Sequence, residues 1–166
     1  MIPQDSSKGQ DSTPKSSAGG DLRAKYQNAL QCSDAKERCR CLKEAAEAGY
    51  IPAMCDYGLM CQDDAERKHW LLEAACEGFV RAMYHYALIC DDEKRRKWWL
   101  LEAARNGHVE AMCQYSLECD DAVEAQHWLR EAALDGHILA IEACALEPER
   151  RRNNDVDFTR TPRKAK

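Results

Sequence analysis

Apolar and polar positions along this chain follow a helical period. In the stretch that opens at Phe79, the residues Val80, Met83, Tyr84, Ala87 and Leu88 fall three and four apart. That spacing puts them on one face of a helix of about ten residues. A second helix is predicted to run through Trp99 and Ala103-Ala104 and to stop at Gly107. The same pattern then recurs. Leu71-Leu72-Glu73-Ala74-Ala75-Cys76-Glu77-Gly78 returns 29 residues later as Leu100-Leu101-Glu102-Ala103-Ala104-Arg105-Asn106-Gly107, and after another 29 as Leu129-Arg130-Glu131-Ala132-Ala133-Leu134-Asp135-Gly136. Leu42-Lys43-Glu44-Ala45-Ala46-Glu47-Ala48-Gly49 is an earlier copy in the same phase.

Other columns keep this register. They are Ala24, Ala53, Ala82, Ala111 and Ala140; Leu30, Leu59, Leu88, Leu117 and Leu146; Cys32, Cys61, Cys90 and Cys119; Tyr57, Tyr86 and Tyr115; and Trp70, Trp99 and Trp128. Chance does not place so many columns in one phase. The repeat defines four units, 21–49, 50–78, 79–107 and 108–136, followed by a half unit that ends near Glu147.

Each unit reads as two antiparallel helices. Asp34, Asp63 and Asp121 stand at the N-cap of the second helix, each with a glutamate three residues on (Glu37, Glu66, Glu124). That spacing is the one that lets cap and glutamate satisfy each other's backbone amides. Asp92 has Arg95 in the glutamate's place. Gly49, Gly78, Gly107 and Gly136 end the second helices, where glycine enters the left-handed conformation at low cost. The paired alanines let helices approach closely, and Trp, Tyr and Leu are expected to fill the space between them. One unit cannot bury its apolar face alone, so stacked units share a continuous core. The fold class predicted is an all-α solenoid of four short helix pairs with a closing helix, spanning 21–147.

The order of alanine, then tyrosine with leucine or Gly-Leu, then an Asp-led helix with Trp, Ala-Ala and Gly resembles the Sel-1-like repeat, a relative of the tetratricopeptide repeat. The resemblance covers residues 21–147. Its best pieces are Ala53-Met54-Cys55-Asp56-Tyr57-Gly58-Leu59 and Trp99-Leu100-Leu101-Glu102-Ala103-Ala104-Arg105-Asn106-Gly107. It implies a right-handed superhelix acting as an adaptor that holds other proteins, with the first helices lining the concave face. The connection between the two helices, longer and glycine-rich in that family, is here cut to Cys-Asp-Asp or Cys-Gln-Asp. Some secreted members carry a disulfide in each repeat. That subtype is not expected here, because Cys76 faces Tyr84 and His85 in the corresponding region and Arg105 replaces cysteine in the next unit.

Composition narrows the function. Of 166 residues, 45% are hydrophobic and 32% charged, enough apolar content for a core. No stretch approaches the roughly 20 apolar residues of a membrane-spanning helix, so no membrane role is expected. The opening Met1-Ile2-Pro3-Gln4-Asp5-Ser6-Ser7-Lys8 lacks a basic start followed by an apolar run, which predicts a cytoplasmic location, with the nucleus as the alternative. The net charge of −5 divides unevenly: residues 21–147 sum to −9 and residues 148–166 to +4. An acidic body is not the footprint of a nucleic-acid-binding fold, so nucleic acid would be met only through the C-terminal tail. Residues 1–20 and 148–166 have the composition of disordered tails. Arg150-Arg151-Arg152 reads as a basic cluster, and Thr13-Pro14-Lys15 and Thr161-Pro162-Arg163-Lys164 resemble sites for proline-directed kinases.

The ten cysteines raise the alternative of a metal or redox sensor. Packed helices lie about 8–10 Å apart, whereas a disulfide needs Cα atoms within about 7 Å. Equivalent cysteines in successive units are therefore too distant to share a bond, and the expected role is that of buried thiols packed as small hydrophobes. His69 and His127 share a column but are two units apart, with Trp98 between them. They are expected beside the core tryptophans, not on a metal. No nucleophile, base and acid order or phosphate loop appears, so no catalytic residue, cofactor or metal is assigned.

Binding is expected where residues vary while their neighbours repeat. On the first helices these are Asp56, His85 and Gln114, with Tyr84 adjacent. They would read a protein or peptide by aromatic contact and hydrogen bonds. The run Lys94-Arg95-Arg96-Lys97 interrupts the acidic body and is either a contact for an acidic partner or a solvated helix face.

Overall fold

The computed structural model describes residues 16–145; the tails expected at 1–15 and 148–166, with Leu146 and Glu147, lie outside them. Eight helices follow one another: α1 (Ser16–Gln31), α2 (Ala35–Glu47), α3 (Ile51–Met60), α4 (Asp64–Cys76), α5 (Val80–Leu88), α6 (Glu93–Arg105), α7 (Val109–Glu118) and α8 (Ala122–Leu134). A ninth, α9, covers 138–145. Among the described residues there is no strand. From α1 to α8 each helix packs on the next in the chain, and Ala140 of the ninth joins the same core, giving the expected solenoid of four helix pairs and a closing helix. The first helix starts at Ser16, five residues before the boundary expected at 21.

The turn from second to first helix is the same in every unit. Gly49, Gly78, Gly107 and Gly136 have φ of 89°, 85°, 84° and 88°. At Gly107 the amide donates to Ala104 O at 2.9 Å and the next amide, of His108, to Ala103 O at 3.0 Å. These two bonds satisfy carbonyls that a helix end would otherwise orphan.

Asp34, Asp63, Asp92 and Asp121 all cap the second helices. The reciprocal half of the expected capping arrangement is absent. Glu66 accepts from Tyr57 Oη at 2.8 Å and from Lys43 at 3.0 Å, and Glu124 accepts from Tyr115 Oη at 3.3 Å. A buried phenol without a partner is costly, so the glutamate serves the tyrosine nine residues before it. Glu37, with no tyrosine there, approaches Arg40 at 4.0 Å.

The core follows the columns. Leu42, Leu71 and Leu100 are fully buried, as are the alanine pairs 45–46, 74–75 and 103–104. Tyr57, Tyr86 and Tyr115 are buried and meet Trp70, Trp99 and Trp128 edge-on, with centroids 5.9, 5.7 and 6.3 Å apart. Each such pair adds about 0.5–1.5 kcal/mol beyond its buried area. His69 and His127 are exposed and lie beside Trp70 and Trp128. One column departs from the expectation: Leu30, Leu88 and Leu117 are 48%, 48% and 74% exposed. They sit near the C-terminal ends of the first helices.

The cysteines are less uniformly buried than expected. Cys55, Cys61 and Cys90 are buried, Cys76 is exposed, and the other six are half-buried. Cys90 and Cys119 donate to the carbonyls of Asp92 and Asp121 at 3.6 and 3.5 Å, so the column helps close the short interhelix turn. Arg38 and Arg67 reinforce that turn, each donating through Nε and Nη2 to the carbonyl of Cys32 or Cys61.

Candidate functional site

The first helices α1, α3, α5 and α7 carry the residues that vary between units, and the structure brings most of them together. Asp56 on α3 accepts from Tyr26 Oη of α1 at 2.6 Å and from Arg81 Nη1 of α5 at 2.8 Å. Its carboxylate thus ties three units, and its oxygens are already engaged. Burial and the Asp56 hydrogen bond push the Tyr26 phenol well above its usual range.

Next to this tie, Tyr84 stacks on His108 with centroids 4.5 Å apart and lies 5.3 Å from the ring of His85. His85 and His108 are half-buried, and that burial holds both imidazoles below their ordinary range, with Arg81 adding to the effect. His108 is the N-cap of α7: Nδ1 accepts from the Ala111 amide at 3.3 Å and stands 3.3 Å from Glu110 Oε2. Gln114 belongs to a separate cluster. Its Nε2 donates to Glu118 Oε1 at 3.1 Å, and Arg96 donates to Glu118 Oε2 at 2.9 Å.

Of the four residues singled out in the sequence, Tyr84 and His85 are neighbours, Asp56 joins them through Arg81, and Gln114 stands apart. Tyr26, Arg81, His108 and Glu110 were not anticipated. The basic run is partly consumed by ion pairs, since Lys97 meets Glu93 at 3.1 Å and Asp120 at 3.0 Å and Arg96 holds Glu118.

One turn beyond Asp56, His85 and Gln114 on the same helices come Leu59, Leu88 and Leu117. Leu30, Leu59, Asp56 and Arg81, with Tyr26, Arg38, Leu42 and Met60, line an open depression of about 460 Å³. This face therefore carries a row of leucines beside a row of hydrogen-bonding and aromatic groups. It can take an apolar side chain and pair with its backbone or polar neighbours.

The chemistry of a thiol sensor is not favoured. Burial pushes the Cys55 thiol up to about 11 and also raises Cys61 and Cys113. A reactive thiolate needs the opposite shift. Among the described residues, no group of three or more His, Cys, Asp or Glu is placed to hold a metal ion, and no helix is long and apolar enough to cross a membrane.

The repeated helix pairs, left-handed glycine turns and shared core define a tetratricopeptide-like α-solenoid. The fold is that of Sel1-like repeats: the chain is similar to the crystal structure of a Sel1 repeat protein from Oxalobacter formigenes, with 23% identity and a TM-score of 0.59. The match covers 69% of this chain and 58% of that one, so this chain spans less than two thirds of that structure's length. No protein-family model matches the sequence, and no curated protein matches it significantly.

Proposed function

We propose that this chain is a non-enzymatic adaptor that binds a protein or peptide on the concave face built by its first helices. The observation that supports this reading is the leucine row. Leu30, Leu88 and Leu117, in the first, third and fourth units, are left in solvent although the second member of their column, Leu59, is half-buried against the core. A contiguous apolar surface rimmed by polar groups marks an interaction site on a folded protein. Tyr84, His85 and Gln114 flank the row and would supply aromatic contact and hydrogen bonds, with Asp56 holding the face rigid through Tyr26 and Arg81. A preformed face lowers the ordering cost of binding.

The test is capture from the native lysate by wild type, by Leu88→Asp and by Tyr84→Ala with Gln114→Ala. Helical content is checked by circular dichroism. Loss of the captured protein with helicity intact is the expected result. Retention of every captured protein by both variants overturns the assignment of the face. A chain truncated after residue 148 should capture the same protein at high salt.

A further inference from the structure

The C-terminal end of the solenoid, built by α8 and α9, is open and apolar. Leu134, Ile138, Leu139 and Ile141 are 80%, 71%, 65% and 47% exposed. They form one surface. Leu134 and Ile141, with Arg130, line an open depression of about 400 Å³, and Ile138 and Leu139, with Asp135, line a second of about 440 Å³. Ile138 lies one turn before Ile141, so the two depressions adjoin across α9. The four side chains leave roughly 500 Å² exposed, more than half of the ~800 Å² that each partner gives to a standard interface. The cover thins in the same direction: Leu100, Trp99 and Ala104 are buried, whereas Leu129, Trp128 and Ala133 are only half-buried.

The two ends of the solenoid are finished differently. The columns that reach Leu139 and Ile141 begin with Arg23 and Lys25, both exposed, and Leu134 continues a column of Glu47, Cys76 and Arg105. A repeat array needs polar outer faces on its terminal units to stay in solution unpaired. The first unit has one in these columns and the last does not. Head-to-tail stacking of copies does not answer this, because α1 and α9 are both first helices and the alternation of first and second helices would break. Composition argues against the following segment as well, since residues 147–166 hold Val156 and Phe158 as their only large apolar side chains. The charges point to the same surface on a second copy. Arg130 borders one depression and Asp135 the other, and among the described residues neither forms an ion pair.

We propose that this end is a self-association surface. Two copies of the chain pair about a two-fold axis near Ile138, α9 against α9, so that each covers Leu134 and Ile141 of the other. Opposite charges on opposite sides of the axis are what a two-fold interface requires, because every contact is made twice. Arg130 of each copy then meets Asp135 of the other. Such rim pairs set orientation more than affinity, and the apolar centre supplies the binding. The proposal is independent of the binding face on the first helices, which stays open in the pair.

Sedimentation equilibrium of the full chain, from low to high micromolar concentration, tests the pairing. Wild type should give a dimer mass that falls to the monomer on dilution. Ile138→Asp should raise the dissociation constant at least about tenfold, as the loss of a central apolar contact does, with helical content by circular dichroism unchanged. Leu88→Asp, on the other face, should leave it where it was. Arg130→Asp and Asp135→Arg should each weaken the dimer, and the two changes in one chain should restore it. A wild-type chain that stays monomeric at the highest concentration would overturn the proposal and leave this end to another cover. So would a dimer that both Ile138→Asp and Arg130→Asp leave intact. A double variant that stays as weak as its parents would overturn the two-fold arrangement.

Discussion

Gly107 sits at φ 84° with no heavy atom within 4 Å of the place a Cβ would take, so its requirement is conformational and not steric. Gly107→Ala should cost about 1–2 kcal/mol, read as a shift in the urea midpoint without a change in slope. Gly58 is the opposite case, helical and crowded by Leu71, and Gly58→Ala should cost about 1–3 kcal/mol by overpacking. The Tyr57 hydroxyl has a different role, as it donates to Glu66, whose carboxyl is held below its usual range by Tyr57 and Lys43. Tyr57→Phe should lower stability by about 1 kcal/mol, measured by chemical denaturation. The two half-buried histidines set a pH window. Their folded imidazoles, facing Arg81, Asp56, Tyr84 and Glu110, titrate below the unfolded value of about 6.5. As pH falls through that value, the unfolded chain binds protons that the native chain refuses, so stability declines. Thermal midpoints should therefore fall between about pH 7.5 and 5.5, and His85→Gln with His108→Gln should flatten the decline. An unchanged slope in the double variant would contradict the burial of these rings.

Two adjacent tryptophans separate core from surface within one element. Trp99 on α6 is 9% exposed and meets Tyr86, whereas Trp98 is 52% exposed. Trp99→Ala should cost about 3–5 kcal/mol and Trp98→Ala less than about 1 kcal/mol, and equal losses would refute the packing of α6 against α5. The tryptophan, tyrosine, alanine-pair and glycine columns were legible in the sequence because each is fixed by a contact within its unit or with the next. The leucine column of the first helices was not. A repeated apolar residue looks the same whether it is covered or left for a partner, and only the helix geometry turns Leu88 outward. The glutamates after the N-cap aspartates had the right spacing for mutual capping, but a tyrosine hydroxyl from the preceding helix competes for them. Asp56 read as a free binding residue because Tyr26 and Arg81 lie 30 and 25 residues away and converge on it only once three units are stacked.

At the scale of the molecule, each helix touches chiefly its neighbours in the chain, so stability is a sum of units and the interfaces between them. Ion pairs recur across those interfaces, Lys43 with Glu66, Lys68 with Asp91 and Lys97 with Asp120, but all involve exposed groups and add little beside the apolar contacts. Burial is therefore the better guide to where the solenoid opens first. Leu71 and Leu100 are covered on both sides, while Leu129 near the C-terminal end is only half-buried. Leu100→Ala should cost about 3–5 kcal/mol, near the upper part of the range for buried leucines, and Leu129→Ala less than about 2 kcal/mol. Native-state hydrogen exchange gives the matching map. Amides of α4 to α7 should exchange only through the largest openings and those of α1 and α8 through smaller ones, because a terminal unit loses one interface on opening and a central unit loses two. Uniform protection from α1 to α8 would instead mean that the chain unfolds as a single cooperative block, with interfaces strong enough to bind every unit to the fate of the whole.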